Sequence, residues 1–246
     1  MHSSDTRITQ GVGAGLLFNS FGGLVSRALG NVEPEVQTVL ADLLGPGDVF
    51  YDVGANIGYF TIIGARLVGP SGRVVAVEPQ PEALRRLRHN LALNGFDNVT
   101  VIEAAVADEE DYGDLVVSQE EILEVAALAG APGPDQPKIR VRVTTLDQLR
   151  AADLPAPKVV KLDVEGAEVR ALNGMVETLR RDRPAIVCEV HASFDDVCAP
   201  LEAEGYTVRQ LDRRERTEAE LLALAQEQRF GGANSGECGH ILATPH

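Results

Sequence analysis

The sequence predicts an α/β fold: a mostly parallel sheet wrapped by helices on both faces. Short apolar runs of strand length alternate with segments of helical periodicity, and glycine or proline turns separate them. Two of the early runs end in a carboxylate, at Asp52 and Glu78, with a glycine-bearing turn after the first. Strand, glycine turn, helix, strand and terminal acid together describe a nucleoside-binding βαβ unit.

In chain order, residues 1–47 read as an accessory segment ahead of a core at 48–246, the whole forming one domain. Pro34 suits the first turn of a helix whose apolar residues continue to Leu44, and Gly45-Pro46-Gly47-Asp48 stops it. Strand 49–53 precedes helix 58–68, and Gly69-Pro70-Ser71-Gly72 turns the chain into strand 73–78. Helix 81–94, closed by Asn94-Gly95, leads to strand 99–105. The alternation lapses over about 107–145, where an acidic stretch, a breaker-rich loop at 130–137 and the alternating Ile139–Val143 indicate an inserted hairpin-like excursion. Regular order resumes with strand 158–163, helix 166–181, strand 184–190, helix 194–204 and strand 206–211. A helix over 217–229, a glycine-rich loop at 231–236 and a last strand at 239–244 complete the pattern.

Composition bounds the partners. Lys and Arg number 22 against 37 Asp and Glu, a formal charge of −15 that repels nucleic-acid backbones and anionic lipid surfaces. Gly11 to Phe21 is apolar but too short to span a bilayer. Cys188, Cys198 and Cys238 form no CxxC pair, which points to reduced thiols in a cytoplasmic protein.

Two cofactors compete for the loop at 52–58. A dinucleotide seats its pyrophosphate on a helix N-terminus, which a three-glycine pattern permits. Here Thr61 stands at the third glycine position and Asn56 lies inside the turn. S-adenosylmethionine has no phosphate. Asp52 suits its ammonium, and the backbone at Gly54, Ala55 and Gly58 suits its carboxylate. Glu78, followed by Pro79, can accept from both ribose hydroxyls. The Asp-x-Gly-x-Asn-x-Gly spacing therefore favours S-adenosylmethionine over NAD, with the adenine expected near Ala105 and Val106.

Two later strands end in polar clusters. Lys161, Asp163 and Glu165 share one face of an extended segment, as do Glu189 and His191. If these strands are neighbours, several ionisable groups meet at one mouth, which is costly unless they are paired or bind something. A structural reading makes Lys161–Asp163 an ion pair and the acids of 165–168 helix caps. A functional reading gives two routes: His191 or Asp163 as general base toward a substrate hydroxyl, or a divalent ion held by Asp163, Glu189 and His191.

With these residues in place, the chain resembles the FkbM-type S-adenosylmethionine-dependent methyltransferases. The matching features are Gly30-Asn31-Val32-Glu33-Pro34-Glu35, Pro46-Gly47-Asp48, the loop at 52–58, Glu78-Pro79 and Thr145-Leu146-Asp147. The run Lys161-Leu162-Asp163-Val164-Glu165-Gly166-Ala167-Glu168 and Arg183-Pro184 leading to Glu189-Val190 complete them. The resemblance implies a class I (Rossmann-like) methyltransferase fold with a seven-stranded sheet, and O-methylation of a small hydroxylated acceptor such as a sugar or natural product. By position it places Asp52, Gly54, Asn56 and Glu78 at the cofactor and Asp163, Glu165, Glu189 and His191 at the reaction mouth. The rival readings are an NAD-dependent oxidoreductase built on the same βαβ unit, and a non-catalytic binding module.

Overall fold

The computed structural model describes residues 5–21, 29–117, 126–128, 137–211 and 239–246. The expected helix over 217–229, the loop at 231–236, most of the loop at 130–137 and Cys238 lie outside these residues.

The chain opens with a two-stranded antiparallel pair, β1 (Thr6–Arg7) and β2 (Leu17–Phe18), and helix α1 (Pro34–Leu43). The core then runs β3 (Val49–Val53), α2 (Tyr59–Val68), β4 (Arg73–Val77), α3 (Pro81–Asn94) and β5 (Val99–Ile102). An excursion contains β6 (Ala105–Val106), β7 (Asp111–Val117), β8 (Ala126–Leu128) and β9 (Lys138–Thr144). The core resumes with α4 (Leu146–Ala151), β10 (Val159–Leu162), α5 (Glu168–Asn173), α6 (Val176–Arg181), β11 (Ala185–Val190), α7 (Phe194–Ala203), β12 (Tyr206–Gln210) and β13 (Gly239–Pro245).

A seven-stranded sheet has the order β12-β13-β11-β10-β3-β4-β5. Every pairing from β11 to β5 is parallel, and β13 alone runs antiparallel to its two neighbours. Strand side chains alternate between two cores. Phe50, Val74, Val159, Val187 and Leu242 pack with α1, α2, α3 and Phe18 on one face. Tyr51, Val75, Val160, Ile186 and Ile241 pack with α5, α6 and α7 on the other.

Two expected elements are broken by tertiary contacts. Strand 99–105 ends at Ile102, because Ala105 and Val106 leave to pair with β9 in a separate four-stranded sheet, order β6-β9-β7-β8. The hairpin-like excursion is thus β7 against β9, extended at both edges. Helix 166–181 divides at Gly174. A Cβ there would lie 2.0 Å from the Ala107 carbonyl oxygen, so the helix meets the small sheet backbone to backbone. Asp147 then supplies a new helix start. Its carboxylate accepts from the Glu177 and Thr178 amides at 3.0 and 2.8 Å.

The N-terminal segment is bound to the core through Asn90 of α3, which is fully buried. Its amide oxygen accepts from the Asn19 N–H at 2.8 Å, and its NH2 donates to the carbonyls of Asn19 at 3.2 Å and Ile57 at 2.9 Å. One side chain therefore ties the segment to the glycine turn after β3. Asn90→Ala strands a buried donor and two acceptors and is expected to lower stability by about 3 kcal/mol. Urea unfolding at an unchanged m-value checks this.

Candidate functional site

At the carboxyl ends of the strands, the apolar rows of one sheet face turn polar. Asp52 follows Phe50, Lys161 follows Val159, and Glu189 follows Val187 along their strands, while His240 precedes Leu242 on antiparallel β13. Register places Lys161 beside Asp52 and Glu189 beside His240. The ladder itself lines these groups up across the sheet.

The turn after β3 takes its shape from three left-handed residues, Gly54 at φ 79°, Asn56 at 49° and Gly58 at 89°. Gly54 is required for a second reason. A Cβ there would sit 1.7 Å from the Asp163 carbonyl oxygen, so two strand ends touch through backbone. Gly54 and Ala55 donate their N–H groups to Val77 O at 2.9 and 3.1 Å, which locks the turn onto β4.

Asp52 is buried, and its Oδ2 accepts from the Thr61 hydroxyl at 2.6 Å. Its Oδ1 is buried without a hydrogen-bond partner among the described residues. Thr61, which departs from a third glycine, therefore serves to orient Asp52. Burial raises the Asp52 carboxyl, against the pull of nearby Lys161. Glu78 is also buried, and its two oxygens accept from the Asn56 and Gln80 amides at 2.8 and 2.9 Å. Burial pushes it up to about 7 despite those two bonds. Pro79 is half-buried beside it. Ala105 and Val106 lie buried in β6, and Asp108 is paired with Arg170 at 2.7 Å.

Lys161 is the one lysine buried among the described residues. Its ammonium lies 2.9 Å from Asp163 Oδ2 and 4.8 Å from the centre of the Phe60 ring. Burial alone would lower the ammonium's pKa, but Asp163, Glu33, Asp52 and Glu189 outweigh it and raise it. Burial would likewise raise the Asp163 carboxyl, yet Lys161 brings it below its ordinary value.

Beyond Asp163 the chain bends at Glu165, which has a left-handed φ of 49°. The expected extended face therefore stops before Glu165, which instead meets His191. The His191 Nδ1 is 3.1 Å from Glu168 Oε1, and its Nε2 is 3.3 Å from Glu165 Oε2 and 3.8 Å from Glu189 Oε1. Glu168 also accepts from the Gly166 amide at 2.8 Å. Burial works against the His191 imidazolium, but the bond to Glu168 and the charges of Glu165, Glu189 and Asp163 raise it to about 9. Glu189 is pushed up to about 7, first by burial and then by Asp163 and Glu33.

Sequence reasoning thus assembles Asp163, Glu165, Glu189 and His191 correctly in space, with ligand atoms of Asp163, Glu189 and His191 all within 4.8 Å of one another. It misses Glu168 as the His191 partner and the whole Glu33–Glu35–His240 group. His240 Nε2 is 3.1 Å from Glu33 Oε2 and Nδ1 is 3.3 Å from Glu35 Oε1. The Glu-Pro-Glu at 33–35 was legible only as a motif.

A parallel sheet carrying a glycine turn, an unsatisfied buried acid and a second acid on the next strand, with β13 inserted antiparallel, defines a class I S-adenosylmethionine-dependent methyltransferase. The sequence matches the Methyltransferase FkbM domain over residues 52–208, and the chain belongs to that family. It is 30% identical over 164 residues to hexuronic acid methyltransferase AglP of Haloferax volcanii, a match covering 66% of this chain and 64% of that protein. This chain therefore spans just under two thirds of that relative. It is 31% identical over 196 residues to 31-O-demethyl-FK506 methyltransferase FkbM of Streptomyces tacrolimicus, covering 67% of this chain and 75% of that one. Methyltransferase FkbM from Methylobacillus flagellatus KT shares the fold at a TM-score of 0.53 and 14% identity, over 85% of this chain and 54% of that one. Precorrin-6y C5,15-methyltransferase from Geobacter metallireducens shares it at 0.50 and 20%, over 87% of each chain.

The oxidoreductase alternative falls with the family assignment. No helix among the described residues is long and apolar enough to cross a membrane.

The Lys161–Asp163 pair can be tested directly. Asp163→Asn leaves a buried ammonium without its nearest carboxylate and is expected to cost about 3 kcal/mol. Lys161→Met combined with Asp163→Leu is expected to cost less than the single change, as measured by denaturant unfolding.

Proposed function

We propose that the protein is an O-methyltransferase acting on a hydroxyl of a small acceptor, a sugar or natural-product moiety. The observation that carries this reading is His191, half-buried at the mouth with both ring nitrogens facing carboxylates. The named activities of the two relatives, on a hexuronic acid and on 31-O-demethyl-FK506, support the acceptor class.

The residues present fit S-adenosylmethionine. Asp52 Oδ1, buried and unpartnered among the described residues, suits the ammonium. The amides of Gly54 and Ala55 donate to Val77 and that of Gly58 to Ala55, so these residues shape the turn rather than leave amides free for the carboxylate. Glu78 retains lone pairs for the ribose hydroxyls. Ala105 and Val106 would border the adenine. When bound, the cofactor supplies an electrophilic methyl on its sulfonium. Asp163 would stand beside it but is a poor proton acceptor, because Lys161 stabilises its charge.

His191 takes the hydroxyl proton. Glu168 fixes the ring at Nδ1, and Glu165 and Glu189 stabilise the imidazolium that forms at Nε2. The neutral ring is the accepting form, so turnover rises on the alkaline side of neutrality. The Lys161 ammonium meanwhile keeps Asp163 charged and rigid at the cofactor's edge.

His191→Gln is expected to lower kcat about 100-fold or more while leaving S-adenosylhomocysteine binding near the wild-type value. The decisive assay incubates the protein with labelled methyl donor and a panel of glycosides and macrolide alcohols. Methylation at oxygen, located by NMR, supports the reading. Transfer to carbon or nitrogen, or an undiminished kcat in His191→Gln, sinks it.

Glu78 gives a pH signature. Its ionised form is the better acceptor, and in the free protein it titrates at about 7. Affinity for S-adenosylhomocysteine is therefore expected to rise with pH up to that value and level off above it. Glu78→Gln should weaken binding about 10- to 100-fold at neutral pH and flatten the profile. Calorimetric titration between mildly acidic and mildly alkaline buffer measures both.

A further inference from the structure

His240 lies outside the residues so far given a chemical role, yet it is buried. Its ring is held from both sides. Nε2 faces Glu33 Oε2 at 3.1 Å and Glu189 Oε2 at 3.9 Å, and Nδ1 faces Glu35 Oε1 at 3.3 Å. One atom from each of Glu33, Glu189 and His240 lies within 4.8 Å of the others.

Three separate parts of the chain converge to make this group. Glu189 and His240 are direct register partners on β11 and β13, so the ladder sets their spacing. Glu33 is the residue that caps α1, held in a left-handed conformation at φ 41° ahead of Pro34. Such ligands stand on rigid elements rather than on a loose loop.

We infer that Glu33, Glu189 and His240 form a divalent-cation site beside the methyl-transfer mouth. Two carboxylates and one imidazole suit Mn2+ better than Mg2+, which prefers oxygen and water. The backing of the ring matches the same purpose. A metal-bound histidine commonly presents its second nitrogen to a carboxylate, and Glu35 lies on that side at 3.3 Å, within ion-pair reach of Nδ1 though outside hydrogen-bond geometry.

The neighbouring group of Asp163, Glu189 and His191 meets the same distance condition but is already served. Asp163 holds the Lys161 ammonium at 2.9 Å, and both nitrogens of His191 face Glu168 and Glu165. Lys161 attracts Glu33 and Glu189 as well, but its one short carboxylate contact among the described residues is to Asp163, which leaves the Glu33 side as the better place for a cation. Three protein ligands leave about three positions of an octahedral ion open. Glu33 and Glu189 are partly exposed, so those positions can take water or two adjacent hydroxyls of the acceptor. That last role rests on the O-methyltransferase reading; cation binding does not.

The test uses the full chain with MnCl2, followed by calorimetry and by the EPR signal of free Mn2+, without acceptor. One Mn2+ per chain is expected. His240→Gln and Glu33→Gln should each weaken binding at least about tenfold, and Glu35→Gln, a positioning change, about 10- to 100-fold. His191→Gln should leave it unchanged. S-adenosylhomocysteine binding by each variant shows that the fold is intact. Absence of Mn2+ binding by the wild-type chain at millimolar concentration overturns the site, as does binding lost in His191→Gln but kept in His240→Gln. Failure of the acceptor assay with Mn2+ binding intact would count against the O-methyltransferase reading alone.

Discussion

The buried ion pair between Lys161 and Asp163 is the constraint around which the mouth is arranged. An ammonium placed in the centre of a sheet loses several kcal/mol of hydration, and only charges held at short range restore it. The register sets Lys161 beside Asp52, and the strand's own continuation brings Asp163 to 2.9 Å. Asp163 is thereby fixed in place, and its backbone carbonyl can press against Gly54 without a gap. A hydrophobic pair would fold as well or better. Loss of the lysine alone would leave Asp52, Asp163 and Glu189 to repel one another. The lysine thus keeps Asp163 ionised and tempers the rise that burial imposes on Asp52 and Glu189.

The segments outside the family match complete the same surface. Residues 52–208 contain the glycine turn, Lys161, Asp163 and the His191 group. Glu33 and Glu35 precede that stretch and His240 follows it. Glu33 and His240 nevertheless meet Glu189, with Glu35 on the far side of the His240 ring, and the strand ladder presents Glu189 between His191 and His240. Asn90 holds the N-terminal segment against the turn that follows β3. The stretch that matches the family holds the turn and the His191 group, while the segments on either side of it bring Glu33, Glu35 and His240 to the same edge of the sheet. Fold alone does not name that acceptor.

Legibility in the sequence followed the range of the forces involved. Helix α3 begins and ends as expected, because Pro81 at its first turn and Gly95 beyond its last are local signals. The turn at 52–58 was readable for the same reason, since left-handed residues announce themselves as glycine and asparagine. The break at Gly174 was not, because its cause is the Ala107 carbonyl of a different sheet. Nor was the early end of β5, which depends on pairing with β9 about forty residues later.

The site divides along the same line. Asp163, Glu165, Glu189 and His191 cluster near two strand ends, and a parallel sheet puts those ends together almost by rule. His240 and Glu33 are 207 residues apart, and no local pattern links them. What could have linked them is strand order. Once β13 is inserted antiparallel beside β11, its first residues must lie at the carboxyl end of β11, and a histidine there must face Glu189. The polar residue at the start of an apolar terminal strand was therefore the one available clue, and it acquires meaning only after the topology is known.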